Sequence, residues 1–173
     1  MLGHPHYDPY FKAYTSHFFG TTLDWLWLKA QAIAESGIDQ AAVSPVGARG
    51  VMQLMPSTAR FMAGRLKLED EAATMPHINI MFGAGYLHYL FSMWKLERGL
   101  ERLRFSFGSY NAGPGHILSA QARAKASGIP TDKWASIVWK LPEITGERHS
   151  AETIRYVEKI EKHYRQLTME DGV

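Results

Sequence analysis

At 173 residues the chain is long enough for one well-buried core, and the absence of cysteine removes disulfide frameworks and thiol chemistry. A formal net charge of +2 is too small to argue for nucleic-acid binding, and no basic stripe with interleaved aromatics runs along the chain. The opening residues, Met1-Leu2-Gly3-His4-Pro5-His6, have neither the positive nor the apolar region of a signal peptide, so none is expected.

Taken in chain order, apolar periodicity predicts a first helix near 9–18 and a second over 22–36. In the second, Trp25, Leu28 and Ala32 form one apolar stripe, which Leu26, Ala30 and Ile33 widen. Glu35 stands seven residues after Leu28 and three after Ala32, on the expected buried side, with Gly37 placed as the C-terminal stop. Burial and the negative helix end both disfavour a charged carboxylate and raise its pKa. A general acid working near neutral pH needs that property. Most helical glutamates are solvated surface charges, so Glu35 gains interest only from the segment C-terminal to it.

That segment is Ser44 to Thr58, where Gly47 and Gly50 suit tight turns and Gln53 sits polar inside the run Val51-Met52-Gln53-Leu54-Met55. Any strand should be short and confined to 44–55, and Pro56 then suits the first turn of a helix over 57–66. The next helix is expected over 77–98. Its charge-free stretch Thr74–Trp94 is long enough to span a membrane, but Pro76, His77, Asn79, His88 and two glycines favour a buried central helix. Lys and Arg between Lys95 and Arg104 alternate with Glu97 and Glu101 and read as a solvated face. Further helices are expected near 100–111, 115–126, 131–139 and 150–166. Helical spacing makes most of the five tryptophans core residues. The eight histidines are scattered and no His-Glu-x-x-His pattern occurs, so neither a metal site nor a cofactor is expected. The reading is an all-α single domain over 1–173, with a motif-bearing core near 22–166 and terminal segments 1–8 and 167–173.

Four blocks then carry a resemblance. Glu35-Ser36, Ser44-Pro45-Val46-Gly47-Ala48 and Gly50-Val51-Met52-Gln53-Leu54-Met55-Pro56 form the first. Asn79-Ile80, Gly83 and Tyr86-Leu87 form the second, and Ser109-Tyr110-Asn111-Ala112-Gly113-Pro114-Gly115 the third. Leu141-Pro142, Glu152-Thr153 and Tyr156-Val157 complete the set. In this order they resemble the soluble lytic transglycosylases of the goose-type branch of the lysozyme superfamily. The resemblance implies a lysozyme-like fold and a peptidoglycan glycan strand as substrate. Ser109 stands where the family usually has alanine, and Val51 where it usually has leucine; both are expected to touch only packing.

By position, the resemblance implies Glu35 as catalyst, with Ser44, Gln53, Met55, Tyr110, Asn111 and Tyr156 as substrate-binding residues. Gln53, whose amide both donates and accepts, also stands to orient Glu35. Tyr110 would pack on a sugar or hydrogen-bond near Glu35, Asn111 would hold an N-acetyl group, and Tyr156 matches a tyrosine that approaches the catalytic glutamate. Met52 and Met55 would line the groove or, more simply, pack in the core. Glu152 reads as a first-turn carboxylate.

An ordinary glycosidase flanks the scissile bond with two carboxyl groups. Between Gln40 and Leu68 there is no Asp or Glu, and Asp39 is the nearest candidate. One acid implies an internal nucleophile. In lytic transglycosylases the glutamate protonates the glycosidic oxygen, then takes the proton of the muramic acid C6 hydroxyl as a 1,6-anhydro ring closes. The alternatives are a goose-type muramidase that adds water, and a wall-binding or assembly module without turnover. A lone monomeric domain without a leader would be made in the cytoplasm and act on the wall in the periplasm. That suits a phage endolysin released by a holin, or a lysin carried in a virion.

Overall fold

The computed structural model describes residues 4–170. Of the expected terminal segments, residues 1–3 and 171–173 lie outside the described residues. Pro5–Tyr7 form a 3-10 turn, and 167–170 belong to the last helix. The elements are α1 (Asp8–Phe19), α2 (Trp25–Ser36), α3 (Pro56–Leu66), α4 (Pro76–Met93), α5 (Leu100–Ala112), α6 (Pro114–Ala126), α7 (Trp134–Ile137) and α8 (Pro142–Glu170). Between α2 and α3, among the described residues, only two isolated bridges occur, Val43 with Arg49 and Arg49 with Leu54. The architecture is all-α, as the periodicity predicts. Among the described residues no helix is long and apolar enough to cross a membrane.

The chain divides into two compact units, one holding the chain up to His88 and again from Ile160, the other Tyr89–Lys159. In the first unit Phe11, Leu28, Met52, Met62, Ile80 and Phe82 are fully buried. α2 starts at Trp25 rather than 22, because the Asp24 carboxylate caps it by accepting the Leu26 N–H at 3.0 Å. The expected stripe is too narrow. Lys29 and Gln31 are buried, whereas Trp25 and Ile33 are half-buried. Lys29 tolerates burial through an ion pair with Asp8 at 2.7 Å.

In the second unit Phe105, Phe107, Ile117 and Ile137 are fully buried, beside Trp94 and Trp134. Trp139, by contrast, is 79% exposed, so helical spacing overstates the tryptophan core. α4 ends at Met93, short of the expected 98, and the chain turns so that Glu97 is buried and accepts the Gln121 side-chain N–H at 2.9 Å. Arg102 lies 3.7 Å over the Phe91 ring and donates from Nε to the Phe91 carbonyl. The stretch Lys95–Arg104 is therefore not a solvated helical face. The last helix begins at Pro142, earlier than 150, and absorbs a break at Gly146, whose φ of 78° and ψ of 162° suit only glycine.

Candidate active site

The C-terminal end of α2 and the loop beyond it are built from polar side chains holding backbone. Gly37 adopts φ 71° and returns its N–H to the Ile33 carbonyl at 3.0 Å, the expected helix stop. This puts Glu35, half-buried, in the last turn. Ser36 donates to the Val51 carbonyl at 2.8 Å and accepts the Asp39 N–H at 3.0 Å, tying the helix end to the far side of the loop. Asp39 is exposed, and its Oδ1 accepts the Ala41 N–H at 2.8 Å, a local turn bond.

Gln53 has φ 43°, and its Nε2 donates to the carbonyls of Gly50 at 3.0 Å and Ala42 at 3.2 Å. Both amide protons face the loop, which leaves Oε1 as the acceptor for anything else. Ser44 accepts the Ala48 N–H at 2.9 Å and closes the Ser44–Ala48 turn, where Gly47 has φ 89°. Met52 is fully buried, while Met55 is 39% exposed at the N-cap of α3.

Asn79, 2% exposed, has a role that the sequence pattern did not reveal. Its Oδ1 accepts the Met52 N–H at 2.8 Å, and its Nδ2 donates to the carbonyls of Ala73 at 3.1 Å and Arg49 at 3.2 Å. The available signal was a lone amide in the apolar run after Pro76. Gly50 is required beside it, because a Cβ there would stand 2.7 Å from Asn79 Nδ2. Gly83 likewise leaves room for Met52, whose Cγ a Cβ would approach to 2.5 Å. Glu35, Ser44, Gln53 and Met55 thus share the first unit, on α2 and a loop held from both ends.

Tyr110, Asn111 and Tyr156 belong to the second unit. Asn111 is exposed at the end of α5, where Gly113 adopts φ 90° and Pro114 opens α6. Thr153 Oγ1 lies 2.8 Å from Asn111 Oδ1 and 3.0 Å from the His149 carbonyl. One hydroxyl proton cannot serve both well. Turning the Asn111 amide over lets its NH2 donate to Thr153 while Thr153 donates to His149, and frees Oδ1. Tyr156, one turn beyond Thr153 on α8, is 8% exposed, and Tyr110 is half-buried. Ser109 does more than pack, since its buried hydroxyl accepts the Trp94 indole N–H at 2.9 Å.

Residues 20–132 match the model of the transglycosylase SLT domain family. The chain belongs to that family. This SLT domain is 33% identical over 171 residues to membrane-bound lytic murein transglycosylase F of Haemophilus influenzae, covering 92% of this chain and 33% of that protein. It is 32% identical over 170 residues to the protein of the same name from Pasteurella multocida, covering 92% of this chain and 32% of that protein. The 70 kDa soluble lytic transglycosylase of Escherichia coli superposes with a TM-score of 0.70 at 26% identity, covering 94% of this chain and 24% of that one. Lytic transglycosylase Slt of Pseudomonas aeruginosa gives a TM-score of 0.73 at 22% identity, over 95% of this chain and 24% of that one. The fold is the all-α lysozyme-like fold of these enzymes. The SLT domain spans about a third of the length of the curated relatives it matches.

Proposed function

We propose that the chain is a peptidoglycan lytic transglycosylase, acting as one catalytic domain and as a monomer, with Glu35 as its only acid and base. The observation that carries this is the loop after α2. It is tied to the helix end through Ser36, no carboxylate occurs between Gln40 and Leu68, and Asp39 is engaged in its own turn. A water-adding mechanism needs a second carboxyl group; a ring-closing one does not.

Glu35 gives its proton to the glycosidic oxygen as the bond from muramic acid C1 to the GlcNAc C4 oxygen breaks. The muramic acid C6 oxygen then bonds to C1, and its proton returns to Glu35. The products are a 4-hydroxyl end and a 1,6-anhydro end, no water is consumed, and the carboxyl is regenerated. Ser44, Gln53, Met55, Tyr110, Asn111 and Tyr156 hold the sugars. The Gln53 and Asn111 amide oxygens are suited to N-acetyl N–H groups, and Met55 is suited to an apolar sugar face.

Digestion of purified murein tests the chemistry: muropeptides should end in 1,6-anhydro-MurNAc, one water lighter than hydrolysis products. Reducing ends alone would identify a muramidase, and no products a binding module. Glu35→Gln should abolish turnover by more than the roughly 10²–10⁴-fold of a single general acid–base group, because one side chain serves both steps. Activity surviving in that variant but lost in Asp39→Asn would move the catalyst to Asp39. Sedimentation tests the monomer. Holin genes flanking the coding sequence would mark a phage lysin acting on the wall; neighbouring wall-synthesis genes would mark an enzyme of the bacterium.

A further inference from the structure

In the first unit a cavity of about 360 Å³ is walled by small alanines, Val43, Leu54 and Pro56, with Arg49, Asp70 and Glu71 on its lining. Neither Glu35 nor any of the proposed sugar-binding residues lines it. Its size falls at the lower end of the roughly 300–1,000 Å³ of small-ligand pockets. The wall is firm, since Asn79 lines it and spends its whole amide on Met52, Arg49 and Ala73 backbone.

The charges around this cavity do not cancel one another. Among the described residues neither the Arg49 guanidinium nor the Glu71 carboxylate has a hydrogen bond or ion pair. Asp70 has only Arg60, at 3.5 Å. A purely anionic ligand would meet two carboxylates, and a purely cationic one would meet the guanidinium. A ligand carrying both signs satisfies both.

We propose that this cavity binds the end of a short peptide that bears a carboxylate and an ammonium group. The carboxylate meets the fork of Arg49, which can hold it by two parallel hydrogen bonds. The ammonium meets Glu71 and Asp70, and the alkyl chain between lies on Val43 and Leu54. The site rests on the proposed function for its source of peptide, the stem carried by the glycan strand, whose diamino-acid end has both groups.

Calorimetric titration with N-acetyl-Ala-Ala-Lys, its C-terminal amide and its Nε-acetyl form reads the site without turnover. The parent peptide should bind, and each block should weaken it about tenfold, the worth of one charge-assisted contact. Arg49→Gln should remove the preference for the free carboxylate, and Glu71→Gln the preference for the free ammonium. No binding, equal binding of all three peptides, or unchanged preferences in both variants would overturn the site. In turnover, kcat/KM on stem-bearing murein relative to amidase-stripped glycan strands should fall about tenfold in Arg49→Gln. An equal fall on both substrates would overturn it as well. Peptide binding intact in a wild-type chain that cleaves neither substrate would sink the proposed function and leave the site standing.

Discussion

The loop from Gly37 to Met55 and the helices α5 and α6 are held by different means. The helices rest on repeating backbone bonds, joined where Gly113 and Pro114 end one and begin the next. The loop has two isolated bridges and takes its shape from Ser36, Ser44, Gln53 and Asn79, whose side chains bond its backbone. In a helix the loss of one polar side chain leaves the ladder intact. In the loop it removes a bond that no repeating ladder replaces, and a buried backbone group left without its partner costs about 1–3 kcal/mol. Precision without regular structure makes the loop the more fragile region under single substitutions.

Asn79→Ala should break that comparison most visibly. It removes three hydrogen bonds and leaves a buried void, so a loss of roughly 2–4 kcal/mol is expected in denaturant unfolding. A loss below about 0.5 kcal/mol, the scale of ordinary surface substitutions, would mean the loop is held by something other than its side chains. Gly108→Ala probes the helical side, where two effects compete. Helix propensity alone favours alanine by about 1 kcal/mol. The new Cβ would, however, overlap the ring of buried Trp134, and overpacking costs about 1–3 kcal/mol. The sum predicts destabilisation of roughly 1 kcal/mol, with part of it relieved by Trp134→Leu in a double-mutant cycle. Stabilisation by Gly108→Ala would show that packing, too, is forgiving there.

The smallest effect should come from Glu143, on the surface at the start of α8. Hydrogen bonds from Lys140 at 2.9 Å and Arg123 at 3.0 Å hold its pKa below the ordinary carboxylate value. The folded pKa is the lower one, so the stabilisation exists above the unfolded value near 4.5 and is lost as pH falls through the folded value. Glu143→Gln should therefore be slightly less stable than wild type at neutral pH. The difference should shrink in high salt and vanish in acid. A difference that grows on acidification would reverse the sign and remove the pair from the account of α8.

Local punctuation made much of the fold legible. Gly37, Pro56 and the Gly113-Pro114 junction bound α2, α3, α5 and α6 within a few residues of expectation, since a glycine φ or a proline ring acts on its own neighbours. The order of the four blocks identified the family, and Glu35 stands in the last helical turn as its spacing predicted. Buried polar groups were the part that could not be read. Lys29 is buried against Asp8, Glu97 against Gln121, and Asn79 against the loop backbone. Each is of a type that usually keeps its polar end in water, so its burial cannot be read until its partner is known, and the last two partners lie 24 and 30 residues away. Sequence periodicity determined where helices form and which apolar faces are covered. Only tertiary structure decided which charges and amides are buried, because burial of a polar group is favourable only when the fold brings a hydrogen-bonding partner to it.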